Sequence, residues 1–266
     1  MNEQMLKAYL SKVGFEGAVT PDLKTLYVLH QRQHQTIPFE NLDVIHGKGV
    51  QLDEEALFSK LLLSDRGGYC YELNGLLHLV LQAVGYDVEQ KLARVHLSGK
   101  PSGRGHLINT VTIDGQIWLV DAGFGASTPR SPLPLVYETE LTTDTQTFRF
   151  VKDPNFGVMF QSKEEGAWSD LYSLDLGYVC KGDIDYGNHF ASTGEGSLFT
   201  ANIVAVSRTE YGPNVLFNNR LKIAQKSGHV ETILESEESY NHALKTHFNI
   251  VNEVPFSTLE SYFQPA

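Results

Sequence analysis

The sequence predicts an α+β fold, and three observations carry that prediction. Apolar residues recur at helical spacing through the first 90 residues, short runs bounded by turn residues replace them after residue 90, and the two patterns mix from about residue 196. The changes of period divide the chain into a helical part (1–90), a strand-rich part (91–195) and a mixed α/β part (196–266). At 266 residues the chain is long enough to bury a sizeable core.

The elements follow in order. Thr20 is a good N-cap and Pro21 a good first helical residue, so a helix is expected through DLKTLYVLHQRQHQ, with Leu23, Leu26 and Leu29, joined by Tyr27 and His30, on one stripe. DEEALFSKLLL (53–63) opens on acids and continues apolar, as helices do. After the turn Gly67-Gly68, Leu73, Leu76, Leu77, Val80, Leu81 and Val84 recur at helical spacing until Gly85, a plausible stop. Strands are expected at 93–97, 107–113, 117–120, 147–151 and 157–160, then at 199–207 and 215–224, with a helix at 238–247.

Composition excludes several functions. A net charge of −11 argues against general binding to nucleic acid or an anionic membrane, while leaving room for one small anion at a locally basic or N–H-rich site. No apolar run approaches the roughly 18 residues needed to span a bilayer. The start MNEQMLKAYLSKVGF lacks the apolar core and cleavage site of a signal peptide. Two cysteines give no disulfide framework, so a reducing, cytoplasmic setting is expected.

One of those cysteines is oddly placed. Cys70, in RGGYCYELNGLL (66–77), falls in the first turn of its helix, where unpaired N–H groups and the positive dipole end favour a thiolate. Gly67 and Gly68 would admit a substrate close to the backbone. The plain alternative is a small buried hydrophobe. A second stretch, GHLINTVTIDGQIWLVDAGFG (105–125), carries two apolar runs around Asp114-Gly115, a strong type I′ hairpin signal. In that register Ile113 faces Gln116, His106 faces Gly123 and Ile108 faces Asp121, so His106 and Asp121 are diagonal neighbours on one face. Asp121 can then fix the imidazole tautomer while the other ring nitrogen faces a thiol. Cys70, His106 and Asp121 form a candidate triad.

Other features carry less. His30 and His34 have an i, i+4 spacing that can bind zinc, but no HExxH or cysteine cluster supports a metal, and none is expected. Cys180 has no partner pattern, and Gly123-Phe124-Gly125 is no dinucleotide fingerprint. Arg66 is expected to pair with Glu40 or Asn41, and Glu72 and Asn74 to satisfy nearby backbone groups. The loop HLSGKPSGRGHL (96–107), with three glycines, Lys100 and Arg104, can meet phosphates or can simply be solvated.

RGGYCYELNGLL resembles the RGGxCxExN signature of the arylamine N-acetyltransferases. The hairpin resembles that family's histidine segment and its Asp-x-Gly-Phe-Gly end, here Asp121 to Gly125, and LHQRQHQTIPFENLDV (29–44) resembles its block ending in IPFEN. NHFASTGEGSLF (188–199) resembles a later segment, with Gly194-Glu195 where a His-Pro pair follows Ser-Thr in the family. The resemblance implies an N-terminal helical domain bearing the cysteine, a central β-barrel bearing His106 and Asp121, and a C-terminal α/β lid. The first two would form a papain- or transglutaminase-like catalytic core. It implies acetyl-CoA as co-substrate, Ser102 and Gly103 as coenzyme A contacts, and an aromatic amine, hydrazine or hydroxylamine as acceptor. Phe39 and Phe124 are expected either to wall the acceptor pocket or to pack in the core. A monomer or homodimer is expected. Two other readings stay open: a thiol hydrolase or transglutaminase-like amidase with the same triad, and an inactive binding protein of the same fold.

Overall fold

In the computed structural model, which describes residues 1–263, three of the first five helices start where a side chain caps them. Asn2, Asp22 and Asp53 accept N–H groups from the first turns of α1 (Glu3–Lys12), α2 (Leu23–Thr36) and, further on, the helix Glu54–Leu61. The cap expected at Thr20 moves two residues on. Asp22 accepts from the Thr25 N–H at 2.8 Å, and Thr20 donates its hydroxyl to Asp22 at 2.6 Å. The short β1 (Phe39–Glu40) and α3 (Leu42–Ile45) follow, then α4 (Glu54–Leu61) and α5 (Cys70–Val84). Gly85 ends α5 in the left-handed region (φ 100°), as its position predicts. Leu26, Leu29, Leu57, Leu73, Leu76, Leu77 and Val80 fuse these helices into one core.

Eight antiparallel strands then curl into a nearly closed barrel, in the order β5-β4-β3-β2-β9-β8-β7-β6. They are β2 (Asp87–Val95), β3 (Arg104–Ile113), β4 (Gln116–Val120), β5 (Leu133–Pro134), β6 (Leu141–Thr142), β7 (Thr147–Asp153), β8 (Gly157–Glu164) and β9 (Ala167–Leu174). Inward residues fill the interior: Ile108, Leu119, Phe148, Phe150, Phe160 and Leu171. The β3–β4 hairpin has the predicted register, Ile113 opposite Gln116 and Asn109 opposite Val120, and both turn residues, Asp114 and Gly115, have positive φ.

The last third departs from the expected strand runs. Helix α6 (Lys181–Thr193) packs over β3 and was not legible in the sequence. Residues 199–207 are not one strand: Ser197 caps the short α7 (Leu198–Ala201), and β10 (Val204–Thr209) begins only after it. The run 215–224 is two strands, β11 (Gly212–Phe217) and β12 (Arg220–Gln225), folded back at Asn218, whose φ is 53°. With β13 (Gly228–Ile233) they make a second sheet ordered β1-β10-β11-β12-β13. Helices α8 (Glu237–Phe248) and α9 (Phe256–Glu260) cover it through Tyr240, Leu244, Phe248 and Leu259. No helix among the described residues is long and apolar enough to cross a membrane.

Candidate active site

Cys70 opens α5, buried at 3 % exposure. The turn before it is held from below by charge. Arg66 donates to Glu40 and Asp43, each at 2.9 Å, so the ion pair forms with Glu40 and not Asn41. Asn41 instead donates to the Phe199 and Asn202 carbonyls and accepts from the Val204 N–H, tying this block to the second sheet. Glu72 reaches back to accept the Tyr69 N–H at 3.0 Å and also pairs with Lys60 at 2.7 Å. Burial pushes the Glu72 carboxyl up to about 7, with Lys60 opposing.

The two glycines meet the protein's own atoms, not open space for a substrate. A Cβ at Gly67 would overlap the Pro38 carbonyl, and one at Gly68 would sit 2.7 Å from the Glu72 carboxylate. The tight approach that the Gly-Gly pair signals is therefore internal packing. Gly123 plays the same part at the hairpin's end, where a Cβ would lie 3.0 Å from both Cys70 Cα and Asn74 Nδ2.

The hairpin and α5 meet through Asn74. Its amide nitrogen donates to the Leu107 carbonyl (2.7 Å) and to Asp121 (2.9 Å), and its oxygen accepts the Ala122 N–H (2.9 Å). The Asp121 carboxylate accepts four hydrogen bonds: Asn74 and the Gly123 N–H (2.9 Å) on Oδ1, His106 Nε2 (2.8 Å) and the Tyr172 hydroxyl (3.1 Å) on Oδ2. With Nε2 committed to Asp121, Nδ1 is the His106 nitrogen left for Cys70.

His106 and Asp121 are buried at 2 % and 1 % exposure, so their charges must stabilise each other. Burial by itself would lower the imidazole. The Asp121 charge and hydrogen bond, reinforced by those of Cys70, outweigh it and raise His106 to about 10. Burial likewise works against the Asp121 carboxylate, but the His106 charge and the converging donors hold it below the usual range. The resting site thus holds an imidazolium–carboxylate pair beside the Cys70 sulfur.

The remaining predicted residues divide. Phe124 is half-buried, its ring 4.7 Å from His106 and 4.9 Å from Tyr172. Phe39 is buried in the same core cluster as Cys70 and packs against Phe199 at 5.9 Å. Ser102 and Gly103 line a cavity of about 320 Å³ with Arg104, Tyr186 and Phe190. His30 is buried and donates from Nε2 to the Asp121 carbonyl at 2.9 Å. Among the described residues no three metal-ligating side chains converge. Cys180 is exposed at the start of α6. Sequence reasoning missed Tyr172, 51 residues from Asp121, because nothing local to β9 marks a partner on another strand.

A cysteine opening a core helix, set against a histidine–carboxylate pair on an adjoining barrel, is an arrangement suited to nucleophilic thiol chemistry. The N-acetyltransferase family model matches residues 22–256. The chain is 31% identical over 227 residues to arylamine N-acetyltransferase of Escherichia coli strain K12, covering 85% of this chain and 80% of that protein. Arylamine N-acetyltransferase from Salmonella typhimurium superposes with a TM-score of 0.91 at 30% identity, over 98% of each chain. The Mycobacterium marinum arylamine N-acetyltransferase in complex with CoA superposes at 0.88 with 32% identity, over 97% of each. The chain belongs to the arylamine N-acetyltransferase family.

Proposed function

We propose that the protein transfers an acetyl group from acetyl-CoA to the nitrogen of an arylamine, hydrazine or arylhydroxylamine by a ping-pong course through acetyl-Cys70. The observation that carries this reading is the buried His106 ring, bonded through Nε2 to the Asp121 carboxylate at 2.8 Å, with that charge and Cys70 both raising the imidazole. In the first half-reaction the Cys70 thiolate attacks the thioester carbonyl, and the leaving CoA thiolate takes the proton from His106. Bond made and bond broken are both thioesters, so this step is nearly balanced in energy. In the second, the amine attacks acetyl-Cys70, His106 accepts the proton that the nitrogen sheds, and the thiolate returns. Asp121 keeps its charge throughout and orients the ring. The Cys70 backbone N–H, in the first turn of α5, serves the developing oxyanion.

Coenzyme A is assigned to the cavity at Ser102 and Gly103, where Arg104 and the exposed Tyr186 and Phe190 offer a cation and aromatic surface to a nucleotide. The complex of the M. marinum relative with CoA supports the donor class. Phe124, against His106, is assigned to the acceptor pocket, with Phe39 behind it. In this reading residues 1–90 supply the thiol, 91–195 the histidine and acid, and 196–266 a lid. Intact-protein mass spectrometry after exposure to acetyl-CoA alone tests the proposal. One acetyl increment on the Cys70 peptide is expected, absent in Cys70→Ala and much slower in His106→Ala. CoA release that proceeds equally fast with no amine present would instead favour a hydrolase.

A further inference from the structure

Beyond Phe124 the chain makes a 3₁₀ turn, Gly125–Ser127, and meets three other segments around a cavity of about 250 Å³. The last turn of α2 brings His34, the β6–β7 connection brings Gln146, and the β10–β11 hairpin brings Arg208, Tyr211 and Pro213, with Arg130 between them. Neither Cys70 nor His106 lines it.

The charges around this cavity do not close. Arg130 donates to Asp144 at 2.7 Å and to the Thr209 carbonyl at 2.6 Å. Arg208 donates from Nη2 to the same Asp144 oxygen at 3.2 Å. Two guanidinium groups, at 5 % and 10 % exposure, thus share one carboxylate that is itself half in solvent. Arg208 Nη1 is buried with no hydrogen-bond partner, and so is His34 Nδ1. Buried donors in folded proteins are nearly always paired, and an unpaired cationic one is the costliest kind. Burial and the neighbouring Arg130 charge both push Arg208 down from its ordinary value, while burial keeps His34 neutral. One positive charge is left over, which matches a single monoanion. A guanidinium edge suits a planar carboxylate, and Ala126, Pro213 and the Tyr211 ring offer apolar wall for what is attached to it.

We infer that this cavity is a binding site for a small carboxylate of about benzoate size, held by Arg208 and Arg130. The site goes beyond acetyl transfer and stands or falls without it. The carboxylate can belong to a free organic acid or to an acceptor amine that carries one.

Isothermal calorimetry of the full chain with benzoate, against chloride at equal ionic strength, tests this without any turnover. Saturable binding of one benzoate and none of chloride is expected. Arg208→Gln removes the unpaired donor and should weaken binding on the order of tenfold to a hundredfold. Ala126→Trp fills the cavity with its charges untouched and should weaken binding similarly, so the test survives if the arginine variant fails to fold. No benzoate binding by the wild type, or unchanged affinity in a folded Ala126→Trp, overturns the site. Inhibition of aniline acetylation by benzoate then identifies the source. Competition with aniline assigns the carboxylate to the acceptor, and inhibition that aniline does not relieve assigns it to a free acid.

Discussion

Two buried imidazoles flank Asp121, and their surroundings drive them in opposite directions. His106 donates to the Asp121 carboxylate at 2.8 Å and is raised to about 10; His30 donates to the backbone carbonyl of the same residue at 2.9 Å and is lowered to about 4. Burial disfavours the cation in both rings, and in both it is the largest single influence. The acceptor's formal charge, reinforced at His106 by Cys70, sets the two apart. A carboxylate steadied by three other donors offsets desolvation, and a neutral carbonyl, with Arg208 working against it, does not. Neither burial nor a short hydrogen bond alone marks a histidine as chemically poised.

The hardest test of this contrast is Asp121→Asn, which keeps the hydrogen-bonding shape and removes the charge. His106 should then behave as His30 does, neutral at pH 7, and acetyl transfer should fall in kcat/KM by about 10³- to 10⁴-fold, the scale seen when a triad acid is neutralised. Titration of the ring by NMR checks the first expectation and steady-state kinetics the second. A ring still cationic at pH 8, or a loss below about tenfold, would break the comparison.

Stability should record the same opposition through pH. His106 is raised above its unfolded value of 6.5, so the stability it contributes is fully present below pH 6.5 and is lost as pH climbs through about 10. His30 is depressed from 6.5 to about 4, so the unfolded chain takes up its proton first and stability falls as pH drops across that window. Urea melts of His30→Gln should therefore show a shallower decline between pH 6.5 and 4 than the wild type. At pH 7 the lost bond to the Asp121 carbonyl should cost about 1–3 kcal/mol. An unchanged acid limb would mean that His30 is not one of the groups that shape it.

The same contrast sets what the sequence could reveal. His106 and Asp121 lie on one hairpin, and an Asp-Gly turn with φ of 50° and 79° fixes its register, so local rules reached their pairing. Cys70 was legible as the start of a helix because Gly67, Gly68 and the leucine spacing are local too. What joins helix to hairpin is not local: Asn74 to Asp121 spans 47 residues and His30 to the Asp121 carbonyl 91. The purpose of the glycines was misread for the same reason, since Pro38 and Glu72 press on them only after folding. The late strands failed where side chains overrode pattern, at the Ser197 cap and the left-handed Asn218.

Tyr172 gives the finest test, because it touches the same carboxylate oxygen as His106 but carries no charge. Burial, with the Asp121 charge added, pushes its hydroxyl far up, so it stays a neutral donor at every working pH. Tyr172→Phe removes one of four bonds to Asp121, leaves the carboxylate charged and leaves the His106 bond in place. The carboxylate, less well solvated, should grip the imidazolium harder, so His106 should titrate slightly higher, the reverse of Asp121→Asn. Stability should fall by about 0.5–1.5 kcal/mol and acetyl transfer by less than about tenfold. If charge is what separates the two histidines, a neutral donor can only trim the effect. A Tyr172→Phe loss as deep as that of Asp121→Asn, with the ring still cationic, would show that geometry and not charge governs this carboxylate.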